Sequence, residues 1–163
     1  MTALVCQLPY PKIEDLPKDG KSAKVLLQAF AGQSGQLTML LQYNLQLICG
    51  EKFAKDVQNT LESLALAKQK HLELLGKAIL QLGVQPTYRT YPNRTEFCTQ
   101  NVCKATNAKQ MIFADLVGET DCLATYQKML FVLKNNDVLN LVERLIKDQQ
   151  LQIDTLKRIW KNL

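Results

Sequence analysis

Little in this chain breaks a helix, crosses a membrane or grips a nucleic acid. Of 163 residues only seven are Gly and five are Pro, and most of them cluster in two places. The rest of the chain therefore has few backbone breaks. No stretch approaches the roughly 18 uninterrupted apolar residues of a membrane span. The opening Met1-Thr2-Ala3-Leu4-Val5-Cys6 lacks the basic and long apolar regions of a secretion signal. Net charge is +5, but the basic residues are spread along the chain and only Lys157-Arg158…Lys161 forms a short basic tail. With one Trp and no aromatic run, this argues against a nucleic-acid partner. There is no nucleophile–base motif, no phosphate-cradling Gly loop and no Glu-x-x-His pair.

Cysteine is present in odd number: Cys6, Cys49, Cys98, Cys103 and Cys122. Without a secretion signal, this predicts reduced thiols and a cytoplasmic location. Cys98 and Cys103 share a loop, so a local disulfide there stays open. Zinc is disfavoured, because the loop offers no His and no tight Cys pairs.

What the chain does have is Leu, Gln, Lys and Ala, all good helix formers. With 47% apolar and 21% charged residues, it predicts a single all-α domain over 1–163. Pro9, Pro11 and Pro17 exclude a helix over 1–20, which reads as an extended arm. Apolar residues at spacings of three and four then predict helices over 22–49 (inner stripe Leu26, Ala29/Phe30, Leu37, Leu40/Leu41, Leu45 and Ile48), 52–82 (Val57 to Leu82), 105–134 (Ile112 to Leu133) and 138–161 (Val138 to Ile159). Asp19 or Ser22 could cap the first. Gly32 and Gly35 fall inside that helix, each costing about 1 kcal/mol relative to Ala. Close approach of a neighbouring helix would compensate. Gly83, with Pro86 beyond, marks the end of the second helix. Residues 83–104, with Pro86, Pro92 and Asn93, read as a crossover. A helix of about 30 residues is about 45 Å long, and about 22 extended residues can run back along it. This predicts an up-down-down-up four-helix bundle with one long crossover.

Each apolar stripe is interrupted near its middle. Gln36 (with Gln33 beside it), Lys68 and His71, Glu119, and Gln149 with Gln152 are the interruptions. In a bundle these lie at one level inside the core, where an unpartnered polar group costs about 1–3 kcal/mol. Singly, each reads as a satisfied core residue. The coincidence across four helices makes the set informative.

The runs around these positions carry a likeness. Leu8-Pro9-Tyr10-Pro11-Lys12-Ile13, Ala31-Gly32…Gln36-Leu37-Thr38…Gln42-Tyr43, His71-Leu72-Glu73-Leu74-Leu75-Gly76, Ala114-Asp115-Leu116…Glu119…Tyr126 and Glu143-Arg144-Leu145-Ile146-Lys147-Asp148 are the residues concerned. Together, over nearly the whole chain, they resemble bacterial members of the ferritin-like superfamily, in its rubrerythrin and manganese-catalase-like branch. The resemblance implies a di-metal bundle in which two helices each supply a Glu and two each supply Glu-x-x-His. The first Glu falls on Gln36. The first Glu-x-x-His falls on Lys68 and His71, the second Glu on Glu119, and the second Glu-x-x-His on Gln149 and Gln152. Only His71 and Glu119 keep the ligand type. Amides are poor ligands for Fe or Mn, and an ammonium repels a divalent ion.

These positions predict a buried Lys68–Glu119 pair where the metals would lie, and no metal. A competing arrangement bends Lys68 to solvent and bonds Glu119 to His71. A weaker alternative keeps Fe or Mn on His71, Glu119 and Cys122, or Asp115. The expected function is that of a non-catalytic interaction or structural module with no redox chemistry. Its partner would be a second copy or a metal-competent relative. The alternatives are a small-ligand binder in the altered core, or an oxidoreductase or peroxide-handling enzyme using a degenerate metal site or thiols.

Overall fold

A computed structural model describes residues 2–50, 52–89 and 96–163. It contains α1 (Gly20–Ala31), α2 (Gln36–Cys49), α3 (Lys55–Gln81), α4 (Ala108–Val132) and α5 (Asn136–Asn162), with a 3-10 turn at Thr99–Asn101. The expected Pro92 and Asn93 of the crossover lie outside the described residues. Among the described residues no helix is long and apolar enough to cross a membrane.

The helix expected over 22–49 is two helices. α1 ends at Gly32, whose backbone is extended (φ −70°, ψ 174°). A Cβ on Gly32 would lie 2.4 Å from the Gln28 carbonyl oxygen, and one on Gly35 would lie 2.7 Å from the Gly32 nitrogen. The two glycines therefore serve a tight break within their own segment, and the expected approach of a neighbouring helix is not what they answer. Thr38 Oγ1 donates to Gly32 O at 3.1 Å, and Cys122 Sγ donates to Ser34 O at 3.1 Å, which ties the break to α4.

The break also shifts the helical phase of α2 relative to α1. The inner face of α2 is Gln36, Met39, Gln42, Tyr43 and Gln46. Leu45 and Ile48, expected inside, are 37% and 76% exposed. In α3, α4 and α5 the expected stripes do face inward.

Two apolar clusters fill the two ends of the bundle. One joins α1 (Leu26, Phe30) to Leu75 and Ile79 of α3, Tyr126 and Met129 of α4, and Leu141 and Leu145 of α5. The other joins Met39 and Tyr43 to Val57, Leu61 and Leu64, Ile112 and Cys122, and Leu156. The C-terminal half of α3 thus meets the C-terminal half of α4 and the N-terminal half of α5. That is the up-down-down-up order, with α3 and α4 parallel and joined by the crossover. Pieces of the crossover dock on the bundle: Tyr88 stacks on Phe30 with ring centroids 5.8 Å apart, and Val102 is buried.

Local signals set several ends. Asp19 caps α1, accepting from the Lys21 and Ser22 amides at 3.1 Å each. Gly83 takes φ +91° after α3, a region that favours glycine. The arm lies along α3 and α5, with Leu4 N donating to Ser63 O at 2.9 Å and Leu16 buried. Asp19→Ala is expected to destabilise the protein by about 0.5–2 kcal/mol, read as a lower urea midpoint. An unchanged midpoint would show that α1 is held by packing alone.

A polar layer between two apolar clusters

Between the two clusters lies a layer of polar side chains. Gln36, Lys68, His71, Glu119, Gln149 and Gln152 are all fully buried. They form two neighbouring networks.

The first is centred on the Lys68 ammonium. Its Nζ donates to Glu119 Oε2 at 2.6 Å, to Gln152 Oε1 at 2.6 Å and to Gln149 Oε1 at 3.1 Å. Three donors meet three acceptors, which is the full capacity of an ammonium. Glu119 Oε1 accepts from the Tyr43 hydroxyl. Gln149 Nε2 donates to the Glu119 carboxylate and, at 3.0 Å, to the Glu119 backbone oxygen. Gln152 Nε2 reaches Leu4 O in the arm at 2.9 Å.

The second network is centred on Asp148. Its Oδ1 accepts from Cys6 N at 2.7 Å and Arg144 Nη1 at 2.5 Å. Its Oδ2 accepts from Tyr10 Oη at 2.6 Å and faces His71 Nε2 at 3.1 Å. Burial alone would raise this carboxyl; the hydrogen bonds from His71, Tyr10, Arg144 and Cys6 hold it well below the usual range. Arg144 also donates to Leu8 O and Cys6 O and lies 4.2 Å over the Tyr10 ring.

Burial pushes His71 below its ordinary value, and nearby Lys68 adds to this while Asp148 opposes it. A neutral His71 carries its proton on Nε2, toward Asp148, and offers a lone pair at Nδ1. Gln36 Oε1 stands 3.1 Å from Nδ1, while Gln36 Nε2 has no partner. Turning the Gln36 amide over resolves the conflict, because its NH2 group then donates to Nδ1.

A third group flanks the layer. Asp115 Oδ1 accepts from Gln42 Nε2 at 2.6 Å and Gln46 Nε2 at 2.8 Å. Gln42 Oε1 in turn accepts from Cys103 N at 2.9 Å, which pins the end of the crossover. Asp115 is pushed up to about 7, mainly by burial, against the two amide bonds. A raised carboxyl stabilises the fold below its unfolded value near 3.8, and that contribution is lost as pH rises through about 7. Asp115→Asn is therefore expected to gain on the wild type between about pH 4 and 7, reaching about 1–3 kcal/mol above that. Denaturant midpoints across pH would read this. A constant difference would show that Asp115 does not titrate there.

Lys68 and Glu119 thus meet directly. Glu119 does not reach His71, so the competing arrangement is not adopted. Cys122 is buried, its thiol pushed up by burial and by Glu119 and turned to Ser34 O. Among the described residues no three His, Cys, Asp or Glu side chains converge as a metal would need; His71, Glu119 and Cys122 do not form a triad. The sulfurs of Cys98 and Cys103 are both free. Sequence reasoning missed Gln46 altogether, and had Tyr10, Gln42, Tyr43, Arg144 and Asp148 only within the runs of the resemblance, not as members of the site.

No family model matches the chain, and no curated protein sequence matches it. Solved structures do. KatB, a manganese catalase from Anabaena, superposes with a TM-score of 0.87 at 15% identity, over 96% of this chain and 78% of that one. A bacterioferritin from Rhodobacter capsulatus gives 0.68 at 19% identity, over 90% and 87%. A ferritin-like, diiron-carboxylate protein from Bacillus anthracis gives 0.66 at 18%, over 87% and 99%.

The chain has the ferritin-like fold.

At these identities the likeness concerns the fold. Within that ferritin-like bundle, the polar layer lies where α2, α3, α4 and α5 face one another between the two clusters.

Proposed function

We propose that this protein is a metal-free ferritin-like bundle that serves as a structural or interaction module. One observation carries the reading: the Lys68 ammonium holds Glu119, Gln149 and Gln152 together at the centre of a fully buried layer. The donor set does not fit a di-metal centre. Around Lys68 it offers one carboxylate, neutral amides and a fixed positive charge, and the neighbouring Asp148 is taken up by Arg144, Tyr10 and Cys6, whereas Fe and Mn are held by carboxylates and imidazole. The only imidazole is committed to Asp148 and Gln36. Lys68 with Glu119, and Arg144 with Asp148, balance in charge without a metal.

Protein purified without chelator is expected to carry Fe and Mn far below stoichiometry, and with either ion added to consume peroxide no faster than the ion alone. Stoichiometric metal, or turnover, would overturn the reading. The partner is a second copy or a metal-competent relative, in the cytoplasm that the odd cysteine count suggests. Exposed apolar residues on α2 and α4, among them Ile48, Phe113, Val117 and Phe131, support an interaction face. Light scattering and a pull-down with such a relative test this. A groove of about 370 Å³ lies outside the layer, against Thr38, Met39, Cys103, Phe113 and Val117, and none of the six layer residues lines it. A Cys122 thiol held neutral and buried is a poor nucleophile.

A further inference from the structure

The Lys68 network places an amine, a primary amide and a carboxylate in mutual contact. Nζ lies against the side-chain carbonyl of Gln149, 3.1 Å from Oε1. The same carboxylate oxygen, Glu119 Oε2, accepts from Lys68 Nζ and from Gln149 Nε2. One oxygen thus touches both the nitrogen that must lose a proton and the nitrogen that must gain one. We propose that Lys68 and Gln149 condense to an isopeptide bond, with Glu119 as the proton carrier and ammonia as the leaving group. The inference rests on the metal-free reading of this layer.

The step balances. Glu119 Oε2 takes one proton from the ammonium. The free amine adds to Gln149 Cδ, and a bond from Nζ to Cδ forms. Glu119 delivers its proton to Nε2 as the bond from Cδ to Nε2 breaks, and ammonia leaves. The second proton that Nζ must shed stays on Glu119. An ammonium, a carboxylate and a primary amide become a secondary amide, a neutral carboxylic acid and ammonia. No oxidant, reductant or cofactor enters. The products also leave no net charge in the core, where charge is costly.

Geometry selects the pair. Gln152 Oε1 is closer to Nζ, at 2.6 Å, but its Nε2 is turned to Leu4 O, away from any acid. Gln42 and Gln46 rest on the Asp115 carboxylate without an amine. Lys77 pairs with Glu73 on an exposed surface with no amide in the pair. Only at Lys68 do the three groups meet among these described pairs, and there all are fully buried. Fixed, water-free placement is what raises the rate of an otherwise slow condensation; well-oriented groups reach effective molarities of about 10⁵ M and above.

The test is the denatured mass of the purified full chain, with metal content measured on the same sample. The expected result is a mass short by one ammonia, and a tryptic branched peptide joining Lys68 to Gln149 with the chain uncut after Lys68. Glu119→Gln and Gln149→Met are expected to show their full masses. A wild type at full mass overturns the proposal whether or not the variants fold. Ammonia lost at any other residue, including Gln152 or an Asn, overturns it too. A full mass without metal sinks the cross-link alone; a full mass with stoichiometric metal sinks the metal-free reading as well.

Discussion

Lys68→Met combined with Glu119→Gln is expected to be more stable than Lys68→Met alone, by about 3 kcal/mol. Lys68→Met leaves the Glu119 carboxylate buried, with Tyr43 and Gln149 as donors but no cation. An uncompensated buried charge of this kind costs about 3–5 kcal/mol, whereas replacing both partners of a buried pair together is often close to neutral. Equilibrium unfolding of the single and double variants reads the difference. A double variant no more stable than either single would mean that Lys68 and Glu119 are not coupled.

The same cycle separates charge from covalency. Neither Lys68→Met nor the double variant can form the isopeptide bond, so the gap between them reports the charge alone. The gap between the double variant and the wild type reports the link. Residues 68 and 149 are 81 positions apart, and closing a loop of that length in the unfolded chain is worth about 4–5 kcal/mol on the chain-entropy account. Without a link that second gap should be close to zero.

The sequence shows α3, α4 and α5 well because their stripes keep one helical phase from end to end. Val57 to Leu82, Ile112 to Leu133 and Val138 to Leu156 follow it closely, and the polar interruptions stand out against it. The first helix misled for one reason with two consequences. Two glycines cost about 2 kcal/mol in a helix, which a continuous reading absorbs too easily. Carrying the phase of α1 through the break put Leu45 and Ile48 inside. It also hid Gln42 and Gln46, which are the residues that face Asp115.

Asp148 was obscure for a different reason. It sits between Lys147 and Gln149 and four residues after Arg144, a spacing that usually marks a surface ion pair. Its other partners are His71 of α3, 77 positions away, and Tyr10 and Cys6 of the arm, 138 and 142 positions away. No local pattern contains that contact. The two charges are buried because the arm covers them, and the arm is extended, with no periodicity of its own to show which side lies down.

Asp148→Ala should therefore unfasten the arm. The carboxylate accepts from the arm at Cys6 N and Tyr10 Oη, from α5 at Arg144 and from α3 at His71. Removing it strands those donors and leaves the buried Arg144 unpaired, an expected loss of about 3–5 kcal/mol at neutral pH. The Cys6 amide is expected to exchange hydrogen much faster than in the wild type, while amides in mid-α4 slow or speed only with global stability. The sign of the pH dependence comes from the depressed carboxyl. Its contribution is present above the unfolded value near 3.8 and is lost as pH falls toward its lower folded value. The wild type and Asp148→Ala should thus draw together below about pH 4. His71, whose folded value burial lowers while Asp148 raises it, weakens both proteins below about pH 6.5 and the variant more than the wild type, so it limits how far the two draw together. Equal losses at about pH 7 and about pH 3 would mean that the arm is held by the shape of this contact and not by the charge on Asp148.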